Sequence, residues 1–270
     1  MIGLVHLVWG PLGPAPLRRF LDSYEAHPAG IEHELTIVLN GVEQAEAASP
    51  GLRDALSAEL ARIEHHPISL ELPLLDLAAY GHAAGESSCS RLCFLNSYST
   101  ILADDWLARL SHALDGPDVG IAGATGSWES QAEWIRGKAR FWPYQLAQLR
   151  PMRRDYPRFP NPHIRTTAFM LERSTLPDLG LEGALDKRAT YLLESGHHSI
   201  TRQVLDSGRR VVVVDREGSS HDLTQWPESH TYRSGAQQGL LVGDRRTEDW
   251  QLASPGLRRR LARDAWGERA

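Results

Sequence analysis

Cysteine is scarce in this sequence, and the two cysteines present form no recognisable site. Cys89 and Cys93 stand four residues apart, beside a predicted strand. Two cysteines cannot build a framework of several disulfide bridges, and no histidine cluster nearby completes a zinc pattern. This spacing favours two small buried thiols in a reducing compartment.

The sequence also lacks a long apolar run and an excess of basic charge. No segment reaches the apolar length of a transmembrane helix. Residues 1–14 are apolar, but they lack a basic region and break at Gly10-Pro11, which favours a first core strand. The net charge of −5 gives no support to nucleic-acid binding. These absences predict a cytoplasmic protein with no nucleic-acid partner and no integral membrane segment.

The sequence does contain alternating strand and helix patterns over roughly its first 125 residues, followed by more of both. The apolar strands hardly alternate, which suits a parallel sheet covered on both faces. Strands are predicted at residues 5–8, 33–41, 68–74, 91–96, 118–126, 163–176 and 209–218, with helices at 17–24, 43–66, 75–86, 104–114, 187–208 and 254–266. The fold class predicted is α/β, with an open, mostly parallel sheet and helices on both faces. We divide this one compact domain into residues 1–125, 126–220 and 221–270.

Ligands of open α/β sheets bind beyond the carboxyl ends of the strands. In this chain that rule selects a set of residues that follow the predicted strands. They are Val8, Trp9, Gly10, Asn40, Asp76, Asn96, Tyr98 and Ser99. We therefore expect these residues to line a ligand site at one edge of the sheet.

Aromatic residues and arginines share residues 127–162. Trp128, Trp134 and Trp142 are the candidates for stacking against a sugar acceptor. The same stretch could instead form a groove for an anionic ligand. The structural alternative is a helical excursion whose aromatic rings pack on the sheet while the arginines stay in solvent. The sequence supports the functional and the structural interpretation about equally.

Four stretches together resemble the family-two glycosyltransferases of the GT-A fold. They are TIVLNG, FLNSYSTILADDWLARL, DVGIAGATGSW, and NPHIRTTAFMLERSTL with the following YLLESGHHSITRQVLDSGRRVVVVDREG. The resemblance covers about residues 1–220. It implies a GT-A-type domain that moves a sugar from a nucleotide-sugar donor to a hydroxyl acceptor, with the strand-end residues above holding the nucleotide.

The chain departs from this family where a metal would bind. The family carries Asp-x-Asp after the fourth strand, whereas this chain has Asn96-Ser97-Tyr98. Mg²⁺ and Mn²⁺ need carboxylate oxygens that an amide and a neutral phenol do not replace. A divalent cofactor is therefore doubtful, and arginines could balance the donor phosphates instead. The candidates are Arg165, Arg202 and the arginines of residues 136–158, with Arg202 favoured. A further alternative is a metal held by His221 with Asp76 or Asp222.

The resemblance also implies a general base, and Glu194 is the candidate. Inverting sugar transfer needs a group that takes the proton of the acceptor hydroxyl. His197 and His198 follow on the next turn and could share the proton. The alternative is that Glu194 is only an acid at a helix N-terminus, favoured there by the helix dipole. Asp76 and Asp186 are weaker candidates for the base.

Two other functions remain open in the sequence. Asn96 and Tyr98 are compatible with an inactive nucleotide- or glycan-binding module on the same fold. A nucleotidyltransferase is more distant, because the N-terminal region has no glycine-rich loop with a lysine. Residues of the C-terminal segment could form a lid over the donor or could fasten the last helices to the sheet: Trp226, Ser229, Gln237, Asp244 and Thr247.

Overall fold

The structure is a computed structural model that describes residues 1–133 and 151–269. Its strands, in chain order, are β1 (Ile2–Trp9), β2 (His33–Asn40), β3 (His66–Ser69), β4 (Arg91–Leu95), β5 (Thr100–Ile101), β6 (Val119–Gly123), β7 (Gly126–Ser127), β8 (His163–Ile164), β9 (Ala168–Glu172), β10 (Arg210–Val214), β11 (Ser220–His221) and β12 (Val242–Gly243). Eight of them form one sheet in the order β11-β10-β6-β9-β4-β1-β2-β3. Two small sheets pair β12 with β5 and β7 with β8.

The central sheet is mostly parallel. Strand β1 runs parallel to β2 and β4, β2 to β3, and β6 to β10. Only β9 and β11 run antiparallel to their neighbours. The carboxyl ends of β1, β2, β4 and β6 therefore meet at the same edge as the start of β9.

Helices cover both faces of this sheet. They are α1 (Ala15–Ala26), α2 (Val42–Ala48), α3 (Leu52–Leu60), α4 (Asp76–Glu86), α5 (Trp106–Leu114), α6 (Leu176–Leu179), α7 (Lys187–Ser195), α8 (Ile200–Asp206), α9 (Arg245–Leu252) and α10 (Pro255–Trp266), and residues 151–155 are helical as well. Helices α1, α2, α3 and α5 bury their apolar side chains in one core, and α4, α6, α8 and α10 contribute to the second core on the opposite face. The predicted α/β class, with an open, mostly parallel sheet between helical layers, is confirmed. Across the described residues, no helix is both long and apolar enough to cross a membrane.

Several predicted elements differ from the observed ones. The strand predicted over residues 163–176 is divided into β8 and β9, and helical turns follow from Arg173. The helix predicted over residues 43–66 is split into α2 and α3, because Pro50 interrupts it and Gly51 adopts a left-handed φ of 92°. The helix predicted over residues 187–208 breaks at Gly196 into α7 and α8, and the Ser199 hydroxyl caps α8. The third strand ends at Ser69, earlier than predicted.

The C-terminal residues are an integral part of the fold. Strand β11 adds to the edge of the central sheet, and β12 pairs with β5. Trp226, Tyr232 and Trp266 are 0%, 0% and 1% exposed, and all three belong to the second core. Strands from all three predicted segments therefore contribute to the sheets. Cys89 and Cys93 are buried free thiols, as the sequence predicted.

Candidate functional site

The strand-end residues predicted to bind a ligand lie together at the carboxyl edge of the sheet. Trp9 and Asn40 are register partners at the ends of β1 and β2. The Trp9 backbone N–H donates to the Ser97 hydroxyl at 3.1 Å, which brings in the turn after β4. Val8 points into the core and is 4% exposed. The edge is therefore built from three neighbouring strands, as predicted.

The Trp9 ring lies against closely packed backbone at this edge and is partly exposed. A Cβ atom on Gly10 would lie 2.8 Å from the Gly41 carbonyl oxygen, so only glycine fits there. A Cβ atom on Gly41 would lie 2.7 Å from the Trp9 indole, so the ring lies against the glycine backbone. Trp9 thus offers an aromatic surface that a planar base could stack on.

Both polar atoms of the Asn40 side chain form hydrogen bonds within the protein. Its Nδ2 donates to the Leu74 carbonyl at 2.7 Å, and its Oδ1 accepts from the Leu74 N–H at 3.0 Å. Asn40 is fully buried. The predicted nucleotide contact from this side chain is therefore not supported by the geometry. Asn40 instead fixes the loop that leads to Asp76.

The turn at residues 96–99 does not have the ligands that a divalent metal needs. The Asn96 Oδ1 accepts hydrogen bonds from the Tyr98 N–H at 2.9 Å and the Ser99 hydroxyl at 3.3 Å. The Ser99 hydroxyl also contacts the Thr167 carbonyl at 2.8 Å. The amide oxygen closes the turn, and no carboxylate replaces it. The residues at the expected metal position do not fit Mg²⁺ or Mn²⁺.

His221 does not lie with Asp76 or Asp222 in the arrangement considered as a metal site. Its Nε2 lies 2.7 Å from the Asp215 carboxylate, while Asp222 pairs with Arg210 at 2.7 Å. His221 lies on the edge strand β11, whereas Asp76 begins α4 on the far side of the sheet centre. Within residues 1–133 and 151–269, no group of three or more His, Cys, Asp and Glu side chains is arranged to hold a metal ion.

Two carboxylates, Glu194 and Asp76, come close enough at the edge of the second core to influence each other. Glu194 lies near the end of α7, and its Oε1 accepts a hydrogen bond from the Thr166 hydroxyl at 3.0 Å. Burial raises the pKa of Glu194, and the negative charge of Asp76 adds to this effect. Burial also raises the pKa of Asp76, which opens α4. Both groups therefore hold a proton more readily than ordinary surface carboxylates.

A small recess lies beside Glu194. It is lined by Ile121, Ile164, Thr166, Phe169, Glu194, Ile200 and Thr201, with about 220 Å³ of empty space that includes some open to solvent. His197 and His198 are exposed, and the Glu194 hydrogen bond goes to Thr166 rather than to either of them. The predicted carboxylate–imidazole pair is therefore not assembled.

Arg202 lies next to this recess, in the first turn of α8. Its side chain is partly buried and forms no ion pair with any described residue. The Arg202 Nε atom is buried and has no hydrogen-bond partner among them. Arg202 therefore keeps a donor available for an anionic ligand.

The predicted acceptor site can be compared with the structure at Trp128 only. Trp128 is 8% exposed, its Nε1 donates to the Leu223 carbonyl at 3.1 Å, and its ring meets Trp266 edge-on. Because this ring is packed in the core, it is not available for stacking on a sugar, and the prediction for Trp128 is corrected. Trp134 and Trp142 lie outside the described residues.

A second group of polar residues lies around Glu129, and most of it was not expected from the sequence. The charges of Arg233, Arg165 and Arg246 all act on the Glu129 carboxylate. We call this group the arginine cluster: Glu129, His163, Arg165, Tyr232, Arg233 and Arg246. Of these, only Arg165 was a sequence candidate. The others are single charged or aromatic residues far apart in the chain, and no local pattern connects them.

Arginine side chains lie over a single aromatic ring in this cluster. The guanidinium carbons of Arg165 and Arg233 are 4.2 Å and 4.9 Å from the Tyr232 ring centroid. Arg233 pairs with Glu129 at 2.6 Å. Burial raises the pKa of Glu129, but the charge of Arg233 and its neighbours outweighs burial and brings that pKa below its ordinary value.

His163 is a neutral imidazole in a defined tautomer. Its Nδ1 lies 2.8 Å from the Asn161 carbonyl, which can only accept, so Nδ1 carries the proton. Burial lowers the pKa of His163 below its ordinary value of 6.5. In the neutral ring, Nε2 therefore carries a lone pair.

Asp244 joins the cluster to the C-terminal helices. Its Oδ2 lies 2.7 Å from Arg165 and accepts from the Thr167 hydroxyl at 2.6 Å. Its Oδ1 accepts from the Thr247 N–H, and the Thr247 hydroxyl accepts from the Asp244 N–H, so the two residues form a capping box on α9. The Gln237 amide donates to the Thr247 carbonyl. These contacts support the interpretation in which the C-terminal residues fasten the last helices to the sheet.

Comparisons with known proteins identify no family for this chain. No protein-family model matches the sequence, and no curated protein matches it significantly. A mannosyltransferase from Pyrobaculum calidifontis, solved with GDP-Man and Mn²⁺, is 13% identical, with a TM-score of 0.49 over 86% of this chain. Glucosyl-3-phosphoglycerate synthase from Mycobacterium tuberculosis, solved with Mn²⁺, UDP and phosphoglyceric acid, is 16% identical, with a TM-score of 0.38 over 64%. Mouse xyloside xylosyltransferase 1 is 12% identical, with a TM-score of 0.41 over 90% of this chain and 96% of its own.

These likenesses are too distant to assign an activity. This chain spans 59% of the length of the mannosyltransferase and 56% of the synthase. The substrates and metal named for those proteins belong to them. The function of this chain must therefore be argued from its own residues.

Proposed function

We propose that this protein transfers a sugar from a nucleotide-sugar donor to a hydroxyl acceptor, with Glu194 as the general base. The observation that carries the proposal is the Glu194 carboxylate. It is partly buried at the carboxyl edge of the sheet, held by Thr166 and raised in pKa by burial. A base with a raised pKa takes a hydroxyl proton more readily than an ordinary carboxylate does.

The donor would lie along the ends of β1, β2 and β4. The partly exposed Trp9 ring offers a stacking surface for the base, and the 96–99 turn closes the other side of the same edge. Asp76, whose charge acts on Glu194, would contact the donor's hydroxyl groups. The donor phosphates would be met by a guanidinium, with Arg202 the first candidate because its Nε has no partner among the described residues. The reaction proposed here therefore uses no divalent metal.

Substitution of Glu194 tests this role directly. Thermal-shift measurements with UDP, GDP, dTDP and CMP, each with and without Mn²⁺, first identify the nucleotide. Glu194→Gln should then keep nucleotide binding but lower transfer or hydrolysis of the matching sugar donor by about 10²–10⁴-fold, since it removes the base. Glu182→Gln is the matched control, because Glu182 is an exposed carboxylate that packs beside α4. Transfer within twofold of wild type in Glu194→Gln would rule out this base.

A second candidate function is a non-catalytic nucleotide- or glycan-binding module. The Asn96 side chain favours it, because its oxygen closes a turn where the catalytic metal site is expected. In that case one nucleotide would stabilise the wild-type protein, and no sugar donor would be turned over. A nucleotide response that requires Mn²⁺ would contradict the metal-free site and point to ligands elsewhere.

A further inference from the structure

The arginine cluster has more hydrogen-bond donors than the protein itself satisfies. The Arg165 Nη1 and Arg233 Nε atoms are buried and have no hydrogen-bond partner among the described residues. A buried donor without a partner costs free energy of folding. The N–H groups of a guanidinium form their strongest hydrogen bonds to anionic oxygens. The arrangement therefore favours an oxyanion at this position.

The charges of the cluster also favour an anion. Arg165 is balanced by Asp244, and Arg233 is balanced by Glu129. Arg246 is exposed and forms no ion pair with any residue in the described parts of the chain. Because His163 is neutral, the side chains of the cluster together with Asp244 carry one net positive charge, which also acts on the Glu194 carboxylate outside the cluster.

Three guanidinium groups suit phosphate better than carboxylate. A single arginine fork already satisfies the two oxygens of a planar carboxylate. A phosphate carries three anionic oxygens and two charges near neutral pH, and it accepts donors from several directions. Arg165 and Arg233 both lie close to the Tyr232 ring, and the charge of the exposed Arg246 acts on the same Glu129 carboxylate as theirs.

The position of the cluster points to the acceptor rather than the donor. All of its residues come from positions 129–246, and none comes from the ends of β1, β2 or β4. Both Arg246 and Arg165 are near enough to Glu194 for their charges to act on it. A molecule whose phosphate lay in the cluster would therefore place its other end near the base.

We propose that the arginine cluster binds a phosphate group carried by the acceptor, and this rests on the sugar-transfer function proposed above. The acceptor is then a phosphorylated hydroxyl compound. Its phosphate lies in the cluster, and the hydroxyl that receives the sugar lies next to Glu194. Arg246 guides the anion in from solvent, and the buried N–H groups of Arg165 and Arg233 hold it.

Phosphate binding to two neighbouring arginine variants tests the proposal. Calorimetric titration with inorganic phosphate at constant ionic strength should show saturable binding to the wild-type protein. Arg246→Gln should weaken it at least fivefold, and Arg245→Gln should change it less than twofold. Arg245 is the matched control because it is exposed on the same helix and forms no ion pair with a described residue. Equal losses in both variants, or no saturable binding in the wild type, would overturn the proposal.

Titration in the presence of a nucleoside diphosphate separates the acceptor from the donor. If the cluster serves the acceptor, phosphate binds equally well after the protein has been saturated with UDP or GDP. If either nucleotide displaces phosphate, the cluster holds the donor's diphosphate and the proposal is overturned. The protein could also bind phosphate through Arg246 and yet bind no nucleotide. That result would refute the sugar-transfer function but not the phosphate site, so failure of one proposal can be told from failure of the other.

Discussion

At the scale of single residues, His6 shows how completely the core excludes charge. Its ring stacks on Phe20, with centroids 3.7 Å apart and planes 7° from parallel. Both ring nitrogens are buried without a hydrogen-bond partner among the described residues. Burial lowers the pKa of His6 to about 3, so the residue is a neutral part of the core at neutral pH.

His6 should make the protein less stable as the pH falls. In the unfolded chain the imidazole takes up a proton below its ordinary pKa of 6.5, whereas in the folded protein it does so only near pH 3. Between pH 6.5 and 5 this difference lowers the free energy of unfolding by about 2 kcal/mol. We expect the free energy of unfolding of His6→Leu, measured by urea titration at pH 6.5 and pH 5, to lack this decrease.

Other groups titrate over the same range, so a control is needed. His198→Gln changes an exposed histidine and should lose stability between the two pH values as the wild type does. A parallel loss in wild type and His6→Leu would show that the folded protein accommodates the charge on His6.

At the scale of elements, the start of α9 combines two functions in one side chain. Asp244 caps the helix through Thr247 and neutralises Arg165, and it is 5% exposed. Burial opposes its ionisation, but the charge of Arg165 and the Thr167 hydroxyl lower the pKa of Asp244 to about 2. The carboxylate therefore stabilises the fold above its ordinary pKa, and this contribution is lost as the pH falls towards 2.

Asp244→Ala should be far more destabilising than the loss of an ordinary helix cap. Removing a cap costs about 1 kcal/mol. Leaving the Arg165 guanidinium buried and unpaired adds about 3–5 kcal/mol. Asp186→Ala provides the comparison, because Asp186 caps α7 from an exposed position and has no ion pair within the described chain. Chemical denaturation of both variants at pH 7 measures the difference, and similar losses would mean that the Arg165 pair contributes little.

Sequence patterns are informative for elements whose signals are local. The strand ends at Trp9, Asn40 and Asn96 were predicted together because parallel strands end at one edge. The split of the predicted helix is signalled by Pro50 and Gly51 themselves, although the apolar periodicity continues through them. The link between Arg165 and Asp244 spans 79 positions, and no local pattern reveals such a pair. The same holds for Glu129 and His163.

At the scale of the whole molecule, the C-terminal segment decides whether the domain has a complete core. Its aromatic side chains Trp226, Tyr232 and Trp266 are buried against the sheet. The Trp266 Nε1 donates to the Tyr232 carbonyl at 2.8 Å, and the Trp226 Nε1 donates to the His221 carbonyl at 3.1 Å. A segment anchored in this way contributes to the core, whereas a mobile lid would not.

A chain that ends at His221 should therefore fail to fold cooperatively. It would expose the second core, because three large aromatic side chains would be removed from it. We expect no sharp thermal transition and no near-ultraviolet circular dichroism signal from packed aromatic rings. A chain that ends at Gly267 keeps all three rings and should melt like the full-length protein. A cooperative transition in the shorter chain would show that the C-terminal segment is dispensable for the core.

The two-way pairing between Asn40 and Leu74 limits how this protein could evolve a metal site. An aspartate at position 96 could close the same turn, because Asn96 uses only its side-chain oxygen there. An aspartate at position 40 would place a carboxylate oxygen against the Leu74 carbonyl, where Nδ2 now donates at 2.7 Å. Two acceptors at that distance repel each other unless the carboxyl is protonated. One substitution can therefore introduce a carboxylate at position 96. At position 40 the loop before α4 must move before a carboxylate fits.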